Sequence, residues 1–249
     1  MEGWSRIVEK VRLLCLPYAG GSAASIYLPW KKKLDRNIEV IPLELAGRGK
    51  RIRESLLYSV EDTVSDLLEK QLGMLEEGIP YNIFGHSMGG LLAFELCRKI
   101  NERGLPLPEN LLISAFQPPD VKLEGDIHLL PMEAFAEKMR LAGNIPESIF
   151  IDKDLYKVFM PILYADYKMV FEYVYKPIKD RMKVDLHLFT GTTDFRVYQL
   201  RKDWARQTKG LFKDYIFNGG HFFIRESEKA VLNQLESILL TDKLILNKI

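Results

Sequence analysis

Tyr81-Asn82-Ile83-Phe84-Gly85-His86-Ser87-Met88-Gly89-Gly90 reads as an apolar strand running into a sharp turn, and Leu91 to Ile100 continues it as a helix. Strand, turn and helix around Gly-x-Ser-x-Gly describe a nucleophile elbow with Ser87 at its tip. The two flanking glycines have a steric reason. A side chain at 85 or 89 would strike the neighbouring strand or helix, and the strained turn lifts the serine hydroxyl clear of the sheet. The pattern alone is weak, because it arises by chance in roughly one chain in ten of this length. A glycine-rich turn whose serine only caps the next helix would look the same. What separates the two is whether an acid and a histidine follow in suitable places.

Working outward toward the N-terminus, Val11 to Leu16 is a short apolar run that ends at Pro17-Tyr18-Ala19-Gly20-Gly21-Ser22, a buried strand entering a glycine-rich loop. In serine hydrolases of this architecture such a loop gives one oxyanion donor and the residue after the nucleophile gives the other. Here those are the N–H groups of Ala19 and Met88. A phosphate-cradling loop is the competing assignment, but the Walker lysine and the G-x-G-x-x-G spacing are missing. Tyr27 to Arg36 looks helical, with Lys31, Lys32 and Lys33 on its surface, and Asn37 to Leu43 is the next strand. Arg48 and Arg51 follow in a turn at the same sheet edge, where they either pair with surface acids or meet a phosphate. Glu61 to Leu75 carries Val64, Leu67, Leu68, Leu72 and Leu75 at helical spacing and should cover one sheet face.

Toward the C-terminus, Leu111 to Phe116 is a strand, after which the alternation breaks. Residues 118–179 read as a helix-rich insertion, a lid over the site within a single domain spanning 1–249. Its Met and aromatic side chains either line an acyl channel or form the lid's own core. Val184 to Phe189 resumes the sheet and delivers Asp194 just beyond its end, where α/β enzymes place their chemistry. Asp185 begins that strand and Asp166 lies in the insertion, so both suit the role less well. Asp214 to Phe217 is the last strand, and Asn218-Gly219-Gly220 frees His221 to point at the elbow; Glu226 to Leu240 closes the chain as a helix. Alternating β and α segments predict an α/β fold, a mostly parallel sheet flanked by helices.

The bulk properties exclude several classes. The chain has 249 residues, 47% of them hydrophobic, with 35 basic against 34 acidic side chains. A net charge of +1 gives no electrostatic reason to expect nucleic acid or an anionic membrane as partner. Cys15 and Cys97 form neither a metal-ligand spacing nor a disulfide framework and read as buried thiols. The first ten residues lack an apolar signal core, and no run is long enough to span a bilayer, so a cytoplasmic setting is expected. No metal and no cofactor of the protein's own is expected.

Of four histidines, His86 is inside the elbow, His128 opens the insertion and His187 lies within a strand, which leaves His221. Ser87, Asp194 and His221 occur in the chain order of the α/β-hydrolase triad. Their chemistry is acyl transfer. His221 accepts the serine proton, Asp194 holds the other imidazole nitrogen, and Ala19 and Met88 bind the oxyanion. The leaving group stays open on these grounds, since an alcohol, an amine or a thiol could depart.

Four stretches carry a resemblance: residues 16–22, residues 85–90, Leu163-Tyr164-Ala165-Asp166-Tyr167, and Gly219-Gly220-His221-Phe222-Phe223. Together they resemble the type II, external editing thioesterases of nonribosomal peptide and polyketide synthetases, over nearly the whole chain. Ala46 stands where that family usually has proline, and Tyr164 where its lid more often has arginine. The resemblance implies an α/β-hydrolase with its catalytic groups at Ser87, Asp194 and His221. It also implies hydrolysis of unwanted acyl groups from the phosphopantetheine thiol of a peptidyl or acyl carrier protein. Such carriers are typically acidic, so Lys31 to Lys33 or Arg48 to Arg53 become candidate docking charges, and the chain is expected to act as a monomer. A medium-chain fatty acyl carrier-protein thioesterase, a general carboxylesterase or lipase, and a non-catalytic binding protein of the same fold are the alternatives.

Overall fold

Near-continuous apolar runs are what a strand covered on both faces requires, and the central strands of a six-stranded parallel sheet have them, while the two edge strands carry charged residues. The computed structural model describes residues 10–73, 79–143, 145–177 and 180–245. Its strands are β1 (Val11–Leu16), β2 (Ile38–Pro42), β3 (Tyr81–His86), β4 (Asn110–Ser114), β5 (Asp185–Gly191) and β6 (Phe212–Phe217), in the spatial order β2-β1-β3-β4-β5-β6. The chain steps from β1 to β2 on one side and then returns to place β3 on the other. That reversal opens a crevice at the carboxyl ends of β1 and β3, the usual ligand position of open α/β sheets. Leu16 pairs with Gly85 there, so the loop after β1 and the elbow after β3 leave the sheet side by side.

Alternate residues of each strand feed the two faces. Leu14, Leu16, Ile83, Leu111 and Leu188 pack with helices α2 (Val60–Gln71) and α3 (Met88–Glu102). Leu13, Cys15, Phe84, Leu112 and Phe189 pack on the other side with helix α1 (Ala23–Tyr27), Trp30 and the closing helix α9 (Glu228–Ile245). Between β4 and β5 lie α4 (Met132–Leu141), α5 (Glu147–Ile151) and α6 (Lys153–Phe171). These helices have a core of their own, with Phe135, Met139, Met160 and Leu163 buried and Phe159, Tyr164 and Tyr167 packed around them. Two short helices, α7 (Phe195–Leu200) and α8 (Phe223–Glu226), follow β5 and β6.

Several boundaries differ from expectation for local reasons. The helix expected over Tyr27–Arg36 is an α-helix only to Tyr27 and then a 3₁₀ turn over Leu28–Lys32. Pro29 has no N–H to give and restricts the residue before it. Helix α2 begins at Val60 because the Ser59 hydroxyl accepts the Asp62 N–H, and it ends at Gln71. Leu75, residues 1–9, and the insertion's residues 144, 178 and 179 lie outside the described residues. The closing helix is interrupted at Ser227, whose hydroxyl donates to the Asn218 carbonyl, so α8 and α9 are separate. No described helix is long and apolar enough to cross a membrane.

Candidate active site

The elbow is built by backbone collision limits. Ser87 has φ 55° and ψ −122°, one of two non-glycine residues with positive φ among the described residues. A Cβ at Gly85 would sit 1.9 Å from the Gly89 carbonyl oxygen, and one at Gly89 would sit 2.4 Å from that of Leu16. Only glycines let β3, α3 and the end of β1 approach this closely. The Ser87 N–H donates to the Ser114 carbonyl oxygen at 2.7 Å, tying the elbow to β4.

Two loops bring the remaining groups to the serine. Asp194 follows β5 as expected and is largely shielded, its side chain 12% exposed, whereas His221 after β6 is 40% exposed. Gly219, with φ 126°, turns the backbone just before His221. Nδ1 of His221 lies 2.8 Å from Asp194 Oδ2, and its Nε2 lies 2.9 Å from Ser87 Oγ. A carboxylate only accepts, so the proton sits on Nδ1, and Nε2 is left to accept the serine hydroxyl proton. An arrangement of this kind can remove that proton as the oxygen attacks a carbonyl.

The residue-level geometry carries the signature of acyl transfer, and the thioesterase-domain family model matches residues 11–239. The chain belongs to the thioesterase family. It is 34% identical over 225 residues to the gramicidin S biosynthesis protein GrsT of Aneurinibacillus migulanus, covering 90% of this chain and 86% of that protein. Among solved structures, ClbQ from the colibactin pathway superposes with a TM-score of 0.88 at 34% identity, over 95% of this chain and 100% of ClbQ. The type II thioesterase BorB from the borrelidin biosynthetic cluster gives a TM-score of 0.79 at 31% identity, over 92% and 93% of the two chains.

In this thioesterase Ser87 stands between two cavities. One of about 640 Å³ runs past Gly21, Trp30, Ile149 and Phe159, with Lys33, Arg225 and Glu228 also on its wall. The other, about 300 Å³, is walled mainly by apolar groups, Phe116, Leu123, Val170 and Phe171 among them. Ala19, Ser87, Met88 and His221 all border the smaller one. Met88 opens α3, and a helix's first N–H groups have no intrahelical acceptor and carry its positive end. Of the insertion's aromatic residues, Phe135 is buried in the insertion's own core, while Phe159, Tyr167 and Phe171 also reach cavity walls.

The other expected groups lie elsewhere. Arg48 and Arg51 were expected to meet surface acids or a phosphate, but both are buried, at 3% and 8% exposure. Arg51 forks onto Glu54 and Asp66, and Arg48 forks onto Asp166, so neither is available to a partner. Lys31 to Lys33, Lys50 and Arg53 are the exposed cations of the two proposed clusters, Lys33 being paired with Glu228. Asp185 accepts the Leu211 N–H at 2.8 Å. His187 bonds Tyr215 and Asn110, and His128 stacks on Phe171. Tyr164 donates its hydroxyl proton to the His128 carbonyl oxygen, a tie within the cover. Burial pushes both cysteine thiols well above their usual range. Among the described residues no group of three or more His, Cys, Asp or Glu side chains is arranged to hold a metal ion.

The Asp166–Arg48 pair is what sequence reasoning missed. Asp166 is wholly buried and also accepts the Gly20 N–H at 2.7 Å. A signal was present: Asp166 falls within the buried stripe of α6, between Leu163 and Met169, where an acid demands a partner.

Proposed function

We propose that this thioesterase frees carrier proteins of nonribosomal peptide or polyketide synthetases from unwanted acyl groups held on their phosphopantetheine thiol. The observation that carries the reading is the relay from Asp194 through His221 to Ser87, with contacts of 2.8 and 2.9 Å, in a chain of the thioesterase family. Attack forms the Ser87 Oγ–carbon bond, and His221 Nε2 takes the serine proton. Ala19 and Met88 N–H groups hold the oxyanion, each contributing roughly 3 to 4 kcal/mol by analogy with other acyl-transfer enzymes. The carbon–sulfur bond then breaks and the thiol departs with the proton from His221, readily because a thiol pKa is only about 8.5. Water, deprotonated by His221, attacks the acyl-enzyme, the serine oxygen–carbon bond breaks as Ser87 Oγ takes that proton back from His221, and a free acid leaves. The chemistry asks for no cofactor of the enzyme's own, since phosphopantetheine arrives on the substrate.

The cover formed by residues 118–179 acts in this scheme as a lid, excluding bulk water from the acyl-enzyme. The smaller, apolar cavity suits the acyl group. The larger one, with the exposed Lys33 and Arg225 on its wall, suits the pantetheine arm of an acidic carrier.

A carrier protein loaded with acetyl, aminoacyl or octanoyl phosphopantetheine, followed by mass with time, tests the reading. Loss of small acyl groups from the carrier is expected. Cleavage of octanoyl alone would favour a medium-chain fatty acyl thioesterase, and faster cleavage of small free esters an esterase. Failure of a fluorophosphonate to label Ser87 would point to a non-catalytic binding protein.

A further inference from the structure

A buried ion pair joins α6 to the loop after β2, and its carboxylate also reaches the loop after β1. Asp166, on α6, receives Arg48 Nη2 on Oδ1 at 2.7 Å and Arg48 Nη1 on Oδ2 at 2.6 Å. Oδ2 also accepts the Gly20 N–H at 2.7 Å, from a residue 146 positions away in the chain. Their side chains are 4% and 0% exposed. Taking two such charges out of water is expensive, and apolar side chains of similar volume generally stabilise a core as well or better. What a bidentate fork adds is geometry: it fixes the plane of the carboxylate and hence the direction of its remaining acceptor.

That acceptor acts on a turn. The Gly21 N–H donates to the Tyr18 carbonyl oxygen at 3.0 Å, and Gly20 has φ 75°. Ala19 and Gly20 are therefore the central residues of a four-residue turn whose third position needs positive φ, as in type II turns. A Cβ at Gly20 would lie 2.9 Å from Leu163 Cδ1 and 3.0 Å from Phe159 Cζ, so α6 packs directly on the turn. Of the two central N–H groups, that of Gly20 is taken by Asp166. Ala19 borders the cavity that also reaches Ser87 and Met88.

We propose, resting on the reading of Ala19 as an oxyanion donor, that Asp166 is a positioning residue for acyl transfer. Held by Arg48, it engages the Gly20 N–H and so presents the neighbouring Ala19 N–H to the oxyanion. The donor loop is thereby set only while α6 is seated over the site.

Removing Asp166 alone would strand a buried guanidinium, so the test uses paired substitutions in the full chain. Arg48→Leu with Asp166→Leu removes both charges and the acceptor; Arg48→Leu with Asp166→Asn removes the charges but keeps an amide oxygen for Gly20. The first should melt near the wild type yet lose about 100-fold in kcat with KM little changed, and bind octylboronic acid correspondingly more weakly, as a displaced oxyanion donor requires. The second should recover at least about tenfold of both losses. A folded double-leucine variant with wild-type kcat and boronate affinity overturns the proposal, as do equal losses in the two variants. Should neither fold, wild-type amide spectra decide: Gly20 must be protected from exchange, and Ala19 must shift on boronate binding. Rapid Gly20 exchange or an unmoved Ala19 overturns it. Wild-type enzyme that neither binds boronate nor is labelled at Ser87 would instead remove the serine mechanism itself.

Discussion

The rings of His86 and His221 lie 5.5 Å apart, one sealed beneath the elbow and the other at its rim. His86 is wholly buried, with Nδ1 2.8 Å from the Ser114 hydroxyl oxygen. Burial first, and the adjacent His221 second, hold its pKa well below the ordinary histidine value of 6.5. It therefore stays neutral in the folded protein while the unfolded chain takes up a proton as pH drops through about 6.5. Below that pH the unfolded state binds more protons than the folded one, so stability is full above it and declines beneath it, by up to about 1.4 kcal/mol per pH unit. Melting curves at pH 7.5 and 5.5 should show a larger acid-side loss for the wild type than for His86→Gln. Identical losses would mean that His86 titrates alike in both states.

Gly89 and Gly90 are neighbours in sequence with opposite tolerances. A Cβ at Gly89 would meet two main-chain oxygens, Leu16 at 2.4 Å and Pro17 at 2.8 Å, and neither can move without shifting β1 and the loop beyond it. At Gly90 it would meet Ile113 Cγ2 and Phe116 Cβ at 3.2 Å and the Gly85 carbonyl oxygen at 3.3 Å, contacts relieved by shifts of a few tenths of an ångström, in a helix that gains about 1 kcal/mol from alanine over glycine. Gly89→Ala should cost about 3 kcal/mol or more in chemical denaturation, Gly90→Ala within about 1 kcal/mol of neutral. A Gly89→Ala protein of normal stability would show that the elbow is looser than drawn.

These contacts explain what could be read in advance. Ser87, Asp194 and His221 each follow a strand's carboxyl end in a glycine-marked loop, and strand order alone brings such ends to one edge, so local signals sufficed. Helix ends were harder because caps and breakers act over one or two residues: Ser59 starts α2 ahead of the apolar rhythm of Val64, Leu67 and Leu68, and Pro29 converts the segment after Tyr27 to a 3₁₀ turn. The identity of Asp166's partner was beyond local reading. The buried stripe of α6 signals that this acid needs one, but Arg48 stands 118 residues away in a turn of surface-like composition. Only packing α6 onto the turn after β1 reveals that both are desolvated.

Asp194 is the acid whose loss should separate orientation from folding. Its carboxylate accepts from His221 Nδ1 at 2.8 Å and no other hydrogen bond of its side chain is found among the described residues. Asp194→Asn preserves shape but favours the wrong imidazole tautomer, leaving Nε2 protonated and unable to accept from Ser87. A fall in kcat of about 10³ to 10⁴ is expected on carrier thioester with the melting temperature held, alongside complete loss for Ser87→Ala. An Asp194→Asn enzyme within tenfold of wild type would place the supporting acid elsewhere.

The two cavities make the final distinction, because filling each should harm different substrates. Val170 is half-buried on the wall of the 300 Å³ cavity, and Ile149 lines the 640 Å³ one. If the acyl chain occupies the smaller, Val170→Phe removes room that octanoyl needs and acetyl does not. Pocket discrimination of this kind is worth about 1 to 3 kcal/mol, so kcat/KM should fall roughly 10- to 100-fold for octanoyl carrier and little for acetyl carrier. Ile149→Trp narrows the path assigned to the pantetheine arm, which every carrier substrate shares, and should raise KM for both alike. Rates on the two loaded carriers check this directly. If Ile149→Trp discriminates by chain length and Val170→Phe does not, the acyl group and the arm exchange cavities.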